Sequence, residues 1–424
     1  MTSRERLQAT LEHRQPDRPC VDFGGTFVTG IHVAAVDRLR RAVLGDPSWR
    51  VKVCEPYQML GEIDGALREA LGIDIIGVPP RKTLFGIECK DWKPFTLFDG
   101  TGVLVPGAFN TTADPASGDL LIYPEGDTSV PPSGRMPRGG YFFDSIIRQP
   151  PIDDDNLNVE DNLEEFGPLS DADIAYYREK RAWLDRNPDV GRILIVPGTA
   201  FGDIALVPAP FLKHPKGIRD IEEWYISTVA RKDYVLGIFE RQCAVAERNL
   251  DTLINIFGDS VDAALITGTD FGTQRGPFIS NEAYRELFLP FHRRINALIH
   301  GKTKWKTFIH SCGSVYQLIP DFIAAGFDIL NPVQCSAAEM DPARLKRQFG
   351  KDLVFWGGGI DTQKTLPFGT PDQVHAEVME RVAIFNEGGG CVFNAIHNIQ
   401  GPTPVENMLA LFRALRDSAG SPVA

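Results

Sequence analysis

The sequence predicts an α/β protein: a (β/α)8 barrel, of the TIM type, with a β-rich insertion after its second strand. Three observations predict it. Eight short apolar runs lie along the chain, most intervals between them carry helical apolar spacing, and one stretch, from about residue 80 to 169, breaks that rhythm. At 424 residues the chain is long for a single core, yet barrels of this kind reach such lengths as one domain, so residues 1–424 are expected to form one.

In order, Ser3 to Leu11 reads as a short helix that Gln15-Pro16-Asp17-Arg18-Pro19 breaks. The first buried strand follows at Cys20-Val21-Asp22-Phe23, closed by Gly24-Gly25. Helical spacing covers Val36 to Leu44 and Tyr57 to Leu71, and Ile73 to Val78 is the second strand. Six more apolar runs follow, at Arg192 to Pro197, Ala263 to Thr267, Lys306 to His310, Phe327 to Leu330, Leu353 to Trp356 and Cys391 to Ile396. Between and after them, helices are expected over Asp171 to Asn187, Ile218 to Asn255, Asn281 to His300, Val315 to Ala325, Asp341 to Phe349, Pro371 to Asn386 and Pro404 to Arg416. In such a barrel the functional groups sit at the carboxyl ends of the strands.

The insertion between Pro79 and about Leu169 is rich in Gly, Pro, Asp and Thr with short β-like runs such as Thr101 to Val105 and Gly140 to Asp144. It reads as an antiparallel excursion near the barrel mouth, serving as a lid or substrate wall, or as the arm of a homodimer.

Composition narrows the partners. A net charge of −12 repels phosphate backbones, which argues against nucleic acid. No apolar run approaches the ~18 residues of a membrane span, and the polar start Met-Thr-Ser-Arg-Glu-Arg lacks a signal-peptide core. A cytoplasmic protein is expected. The seven cysteines are odd in number and scattered, which argues for reduced thiols available as ligands.

The chemistry centres on Lys304 to Ser314, Lys-Trp-Lys-Thr-Phe-Ile-His-Ser-Cys-Gly-Ser, where an apolar run ends in His310 and Cys312. Strand side chains repeat every two residues, so both point to one side of the strand end. Cys391 lies 79 positions later, 391 less 312, behind Gly388-Gly389-Gly390. One imidazole and two thiolates make a zinc set with an open fourth position, the mark of a catalytic site. Cys335, at the end of the sixth strand, is the rival third ligand, and Glu55 is a candidate for the fourth.

His310, Cys312 and Cys391 resemble the His-x-Cys, gap, Cys pattern of the uroporphyrinogen decarboxylase-like superfamily, within it the zinc-dependent corrinoid methyltransferases. The resemblance favours Cys391 over Cys335. Thr269-Asp270-Phe271-Gly272-Thr273-Gln274 resembles that family's pocket-facing segment, which implies a catalytic role for Asp270 and substrate contact for Gln274. His397 and Asn398 resemble the stretch beyond the last strand, His397 as a second catalytic candidate lining the pocket rather than binding the metal. Asp74 aligns with the acidic residue that holds the tetrapyrrole in the decarboxylase branch, and Asn331 at the sixth strand end completes the substrate-binding candidates. The segment Val21 to Gly30 contains no arginine where the decarboxylase uses several, so a polyanionic tetrapyrrole would find little compensation.

The resemblance implies a methyl transfer between a small methylated substrate, or a thiol or folate-type acceptor, and a corrinoid cofactor. The chain has no Asp-x-His-x-x-Gly corrinoid motif, so a partner protein is expected to carry it. The alternatives are a metal-free lyase of the decarboxylase type and a non-catalytic small-molecule-binding barrel.

Overall fold

The computed structural model describes residues 1–419. Its barrel strands are β1 (Cys20–Val21), β2 (Ile75–Val78), β3 (Gly191–Ile195), β4 (Ala263–Thr267), β5 (Lys306–His310), β6 (Ile329–Asn331), β7 (Val354–Trp356) and β8 (Cys391–Phe393). All the pairings are parallel, running from β2 through β3 to β8 in order and then back to β1. The ring closes between β1 and β2, where Asp74 N–H donates to Val21 O at 2.8 Å and Val21 N–H donates to the Asp74 carboxylate at 2.9 Å. The eight expected apolar runs are the eight strands. The strands at Ala263–Thr267 and Lys306–His310 span their whole runs, whereas Cys20–Val21 and Cys391–Phe393 take only the first residues of theirs.

Alternation along the strands separates two apolar layers. Cys20, Ile75, Ile193, Ala263, Leu265, Phe308, Ile329, Val354, Trp356 and Val392 fill the barrel interior. Leu7 and Leu11 of the first helix (Ser3–Leu11) join them and plug the amino-terminal end. The intervening residues, such as Ile309, Leu330 and Phe355, pack outward on the helices. At the closing seam the backbones touch: an added Cβ on Gly77 would stand 1.8 Å from Gly25 O. Gly77→Ala should therefore cost on the order of 3 kcal/mol through forced backbone movement. Denaturant midpoints check this against Gly65→Ala, where an added Cβ meets nothing within 4 Å.

One expected helix is cut short. Val53–Glu55 pairs antiparallel with Leu60–Gly61, and only Gly65–Leu71 is helical, starting at the Asp64 cap. Gly61 lies against the Val33 backbone, with an added Cβ only 3.0 Å from its Cα, so tertiary contact overrides the local helical spacing. Between β2 and β3 the insertion is antiparallel as expected: Lys93–Thr96 pairs with Gly102–Val105, and Thr111–Ala113, Leu120–Ile122, Gly134–Met136 and Asp144–Ser145 form a meander. Ile122, Met136 and Phe143 bury against Val21, Phe23 and Ile31, so the insertion shares a core with β1. Among the described residues no helix is long and apolar enough to cross a membrane.

Candidate metal centre

His310 ends β5. Phe308 faces the interior and Ile309 the helices, so His310 points back into the barrel mouth. Cys312 follows two residues later, and its Sγ is 3.3 Å from His310 Nε2. The loop after β4 brings Asp270 to the same point: its carboxylate accepts Cys312 N–H at 2.7 Å and lies 3.8 Å from His310 Nε2. The ligand atoms of Asp270, His310 and Cys312 all lie within 4.8 Å of one another. The two loops can approach this closely because Gly272 and Gly313 meet backbone to backbone. An added Cβ on Gly313, whose φ is +85°, would come within 2.5 Å of Gly272.

Asn331 fixes the tautomer of His310. Its Nδ2 donates to Trp356 O at 2.6 Å, so its Oδ1 is left to accept from His310 Nδ1. Nδ1 therefore carries the proton, and Nε2 presents a lone pair to Asp270 and Cys312. Asn331 thus serves the imidazole and not a substrate.

The structure does not bring Cys391 to this cluster. Ile309 is level with Leu330, Leu330 with Phe355, and Phe355 with Cys391, which places Cys391 one residue below His310. It also faces outward, packed with Leu345, Phe355 and Phe385, while its neighbour Val392 faces in. Burial pushes its thiol up to about 12. Cys335 is likewise elsewhere, its Sγ 3.2 Å from Val333 O.

The remaining candidates divide. Asp74 is fully buried at the amino-terminal end, held by Ser3, Arg6 and Arg18, away from the mouth. Gln274 is exposed, with its carbonyl accepting Ala338 N–H at 3.0 Å. The Asn398 amide is committed to Gly30, Phe27 and Gln58, stapling the loop after β1. Glu55 accepts the N–H groups of Tyr57 and Gln58, and burial lifts it to about 7. His397 is buried beyond β8, and that burial lowers its pKa, with the Asp270 charge opposing it.

Two residues at the mouth escaped the sequence reading. Asp203, beyond β3, is 7% exposed, and burial, assisted by the Asp270 charge, raises it to about 7. Tyr225 donates its hydroxyl to Asp270 O at 3.2 Å. A carboxylate just past the carboxyl end of a barrel strand was the available signal for Asp203. Burial also raises the Cys312 thiol well above its ordinary value, with Asp270 and Asp203 adding to the effect.

The Asp203 shift has a stability consequence. A carboxyl raised to about 7 in the folded state binds a proton there that the unfolded chain releases near pH 4. Its contribution is fully present below about pH 4 and is lost as pH rises through about 7. In metal-free protein, Asp203→Asn should gain on the order of 2–4 kcal/mol over wild type at pH 8 and little at pH 4. Thermal unfolding at the two pH values measures it.

Residues 241–418 match the family model described as uroporphyrinogen decarboxylase (URO-D). The chain is 26% identical over 261 residues to a methylated-thiol–coenzyme M methyltransferase of Methanosarcina mazei, a match covering 57% of this chain and 62% of that relative's length. A solved methyltransferase structure from Methanosarcina mazei superposes with a TM-score of 0.55 at 15% identity, over 98% of this chain and 99% of the other, and so shares its fold. The carboxyl-terminal part of the chain thus matches the uroporphyrinogen decarboxylase family model, and the relatives the chain resembles here are methyltransferases.

Proposed function

We propose that this protein is a zinc-dependent methyltransferase. It moves a methyl group between a small methylated substrate, or a thiol or folate-type acceptor, and a corrinoid carried by a partner protein. The convergence of Asp270, His310 and Cys312 at the barrel mouth carries the reading. One carboxylate oxygen, one imidazole nitrogen and one sulfur form a donor set that suits a borderline-soft divalent cation. His397, within electrostatic reach of Asp270, is a further candidate donor. Asp270 replaces Cys391 in this ligand set.

Bound zinc would supply a Lewis acid that favours the thiolate form of a bound thiol or polarises the atom bearing the methyl group. The chain's own residues prepare the place. Asn331 keeps Nε2 of His310 free of a proton, and Asp270 orients the Cys312 backbone. Cys312 and Asp270 are both part-exposed, so the centre is reachable from the mouth, as a corrinoid on a separate protein requires. In this reading the insertion serves as a substrate wall, and Phe143 N–H donates from it to Tyr57 O at 2.8 Å. The protein is the cytoplasmic catalytic subunit in this reading, with barrel and insertion as one domain. The name of the Methanosarcina mazei relative, a methylated-thiol methyltransferase, supports sulfur-linked methyl groups among the substrates.

Elemental analysis of the purified protein tests the reading, followed by methyl transfer to a reduced corrinoid read from its visible absorbance. About one zinc per chain is expected, and a well-folded wild type without zinc sinks the proposal. Asn331→Ala should weaken zinc binding by about 10- to 100-fold, because the imidazole loses the acceptor that orients it. Competition with a chelator reads that loss, and unchanged affinity would reduce Asn331 to a packing role.

A further inference from the structure

His310 is tied across the barrel by side chains from three other strand ends. Its Nδ1–H donates to Asn331 Oδ1, and Asn331 Nδ2 donates to Trp356 O at 2.6 Å. That carbonyl is free for the amide because of one residue. Val354 N–H donates to Asp328 O and Gly358 N–H donates to Pro332 O, so the ladder between β6 and β7 turns Trp356 O towards the nitrogen of residue 332. Pro332 has no hydrogen there to donate, and the Asn331 side chain takes its place.

The indole of the same tryptophan carries the run on to the end of β1. Its Nε1–H donates to Asp22 Oδ2 at 2.9 Å, while Asp22 Oδ1 accepts Gly25 N–H at 2.9 Å. The ring also stands edge-on to Phe308, at 5.4 Å and 73°, two residues before His310 on β5. Trp356 thus bears on His310 both through Asn331 and through the strand that carries the imidazole.

The acceptor at the end of this run is more than an indole needs. A buried indole is satisfied by a neutral partner, as when Trp305 Nε1–H donates to Gly258 O at 2.7 Å. Trp356 meets instead a carboxylate that is 0% exposed, which is costly to bury, and burial raises it to about 6. What the carboxylate adds is a charge-assisted bond, which holds the ring more firmly than a carbonyl would.

We propose that Asp22 is a positioning residue of the metal centre, clamping Trp356 so that its carbonyl holds Asn331 and, through Asn331, the His310 imidazole. The proposal rests on the metal-centre reading for its use, whereas the orientation of the imidazole is a property of the chain alone.

Two variants open the clamp from opposite sides. Asp22→Asn keeps an oxygen for Gly25 N–H but turns an amide N–H2 towards the indole, so two donors face each other. Trp356→Phe removes the indole donor. The first readout is the nitrogen spectrum of metal-free, 15N-histidine-labelled protein at pH 8, with His310 assigned from its loss in His310→Gln. Wild type should hold His310 as the single Nδ1–H tautomer, and both variants should show it exchanging between tautomers. The second is chelator competition, in which zinc affinity should fall about 3- to 10-fold in each variant. The double variant should lose no more than the weaker single one, because both break the same bond. Cys391→Ser controls for destabilisation alone and should keep the wild-type affinity. A fixed tautomer or an unchanged zinc affinity in Asp22→Asn, or additive losses in the double variant, overturns the proposal. A wild type that binds no zinc sinks the metal centre, and the tautomer spectrum then decides by itself whether Asp22 acts on His310.

Discussion

Serine in place of Cys312 should yield a folded protein that has lost its zinc and its methyl transfer, whereas serine in place of Cys391 should keep both. The reason is geometric and chemical. Cys312 Sγ is part of the ligand cluster, and a serine hydroxyl does not ionise to replace a thiolate at neutral pH. Two donors remain, and zinc affinity should fall by at least about 100-fold. Cys391 packs among Leu345, Phe355 and Phe385 on the helix side of β8. A hydroxyl there is buried in apolar surroundings, so Cys391→Ser should cost about 1–3 kcal/mol of stability with zinc retained. Zinc content and denaturant midpoints for both variants decide the matter. Zinc lost from Cys391→Ser and kept by Cys312→Ser would reverse the ligand assignment.

Removal of the Asp74 side chain should be among the most destabilising single changes in the barrel, without touching the mouth. Its two oxygens accept from Ser3 at 2.7 Å, Arg6 at 2.7 Å, Arg18 at 2.8 Å and Val21 N–H at 2.9 Å. Asp74→Ala leaves the Arg6 guanidinium, with a side chain only 6% exposed, short of one partner and opens the seam between β1 and β2. Loss of one member of such a buried network costs about 3–5 kcal/mol. Urea unfolding should show that loss, with zinc content per folded molecule unchanged. Were Asp74 a substrate anchor, the variant would instead raise KM at constant stability, and that result would overturn its structural role.

The sequence by itself determined the barrel, its β-rich insertion and the strand ends on which His310, Cys312, Asp270 and His397 stand. Those features are local: an apolar run, a helical spacing and a polar residue just past a strand. The sequence did not determine which of these side chains meet. Cys391 sits at the edge of an apolar run like His310 does, but its facing depends on register carried across four strands from Ile309 through Leu330 and Phe355. With a side-chain period of two, an offset of one residue turns a ligand into a packing residue. Asn331 and Trp356 likewise set the His310 tautomer from neighbouring strands, and Arg6 and Arg18 claim Asp74 at the opposite end of the barrel. Only the tertiary structure decided these points, because each depends on residues that are distant in the chain and adjacent only once the barrel closes.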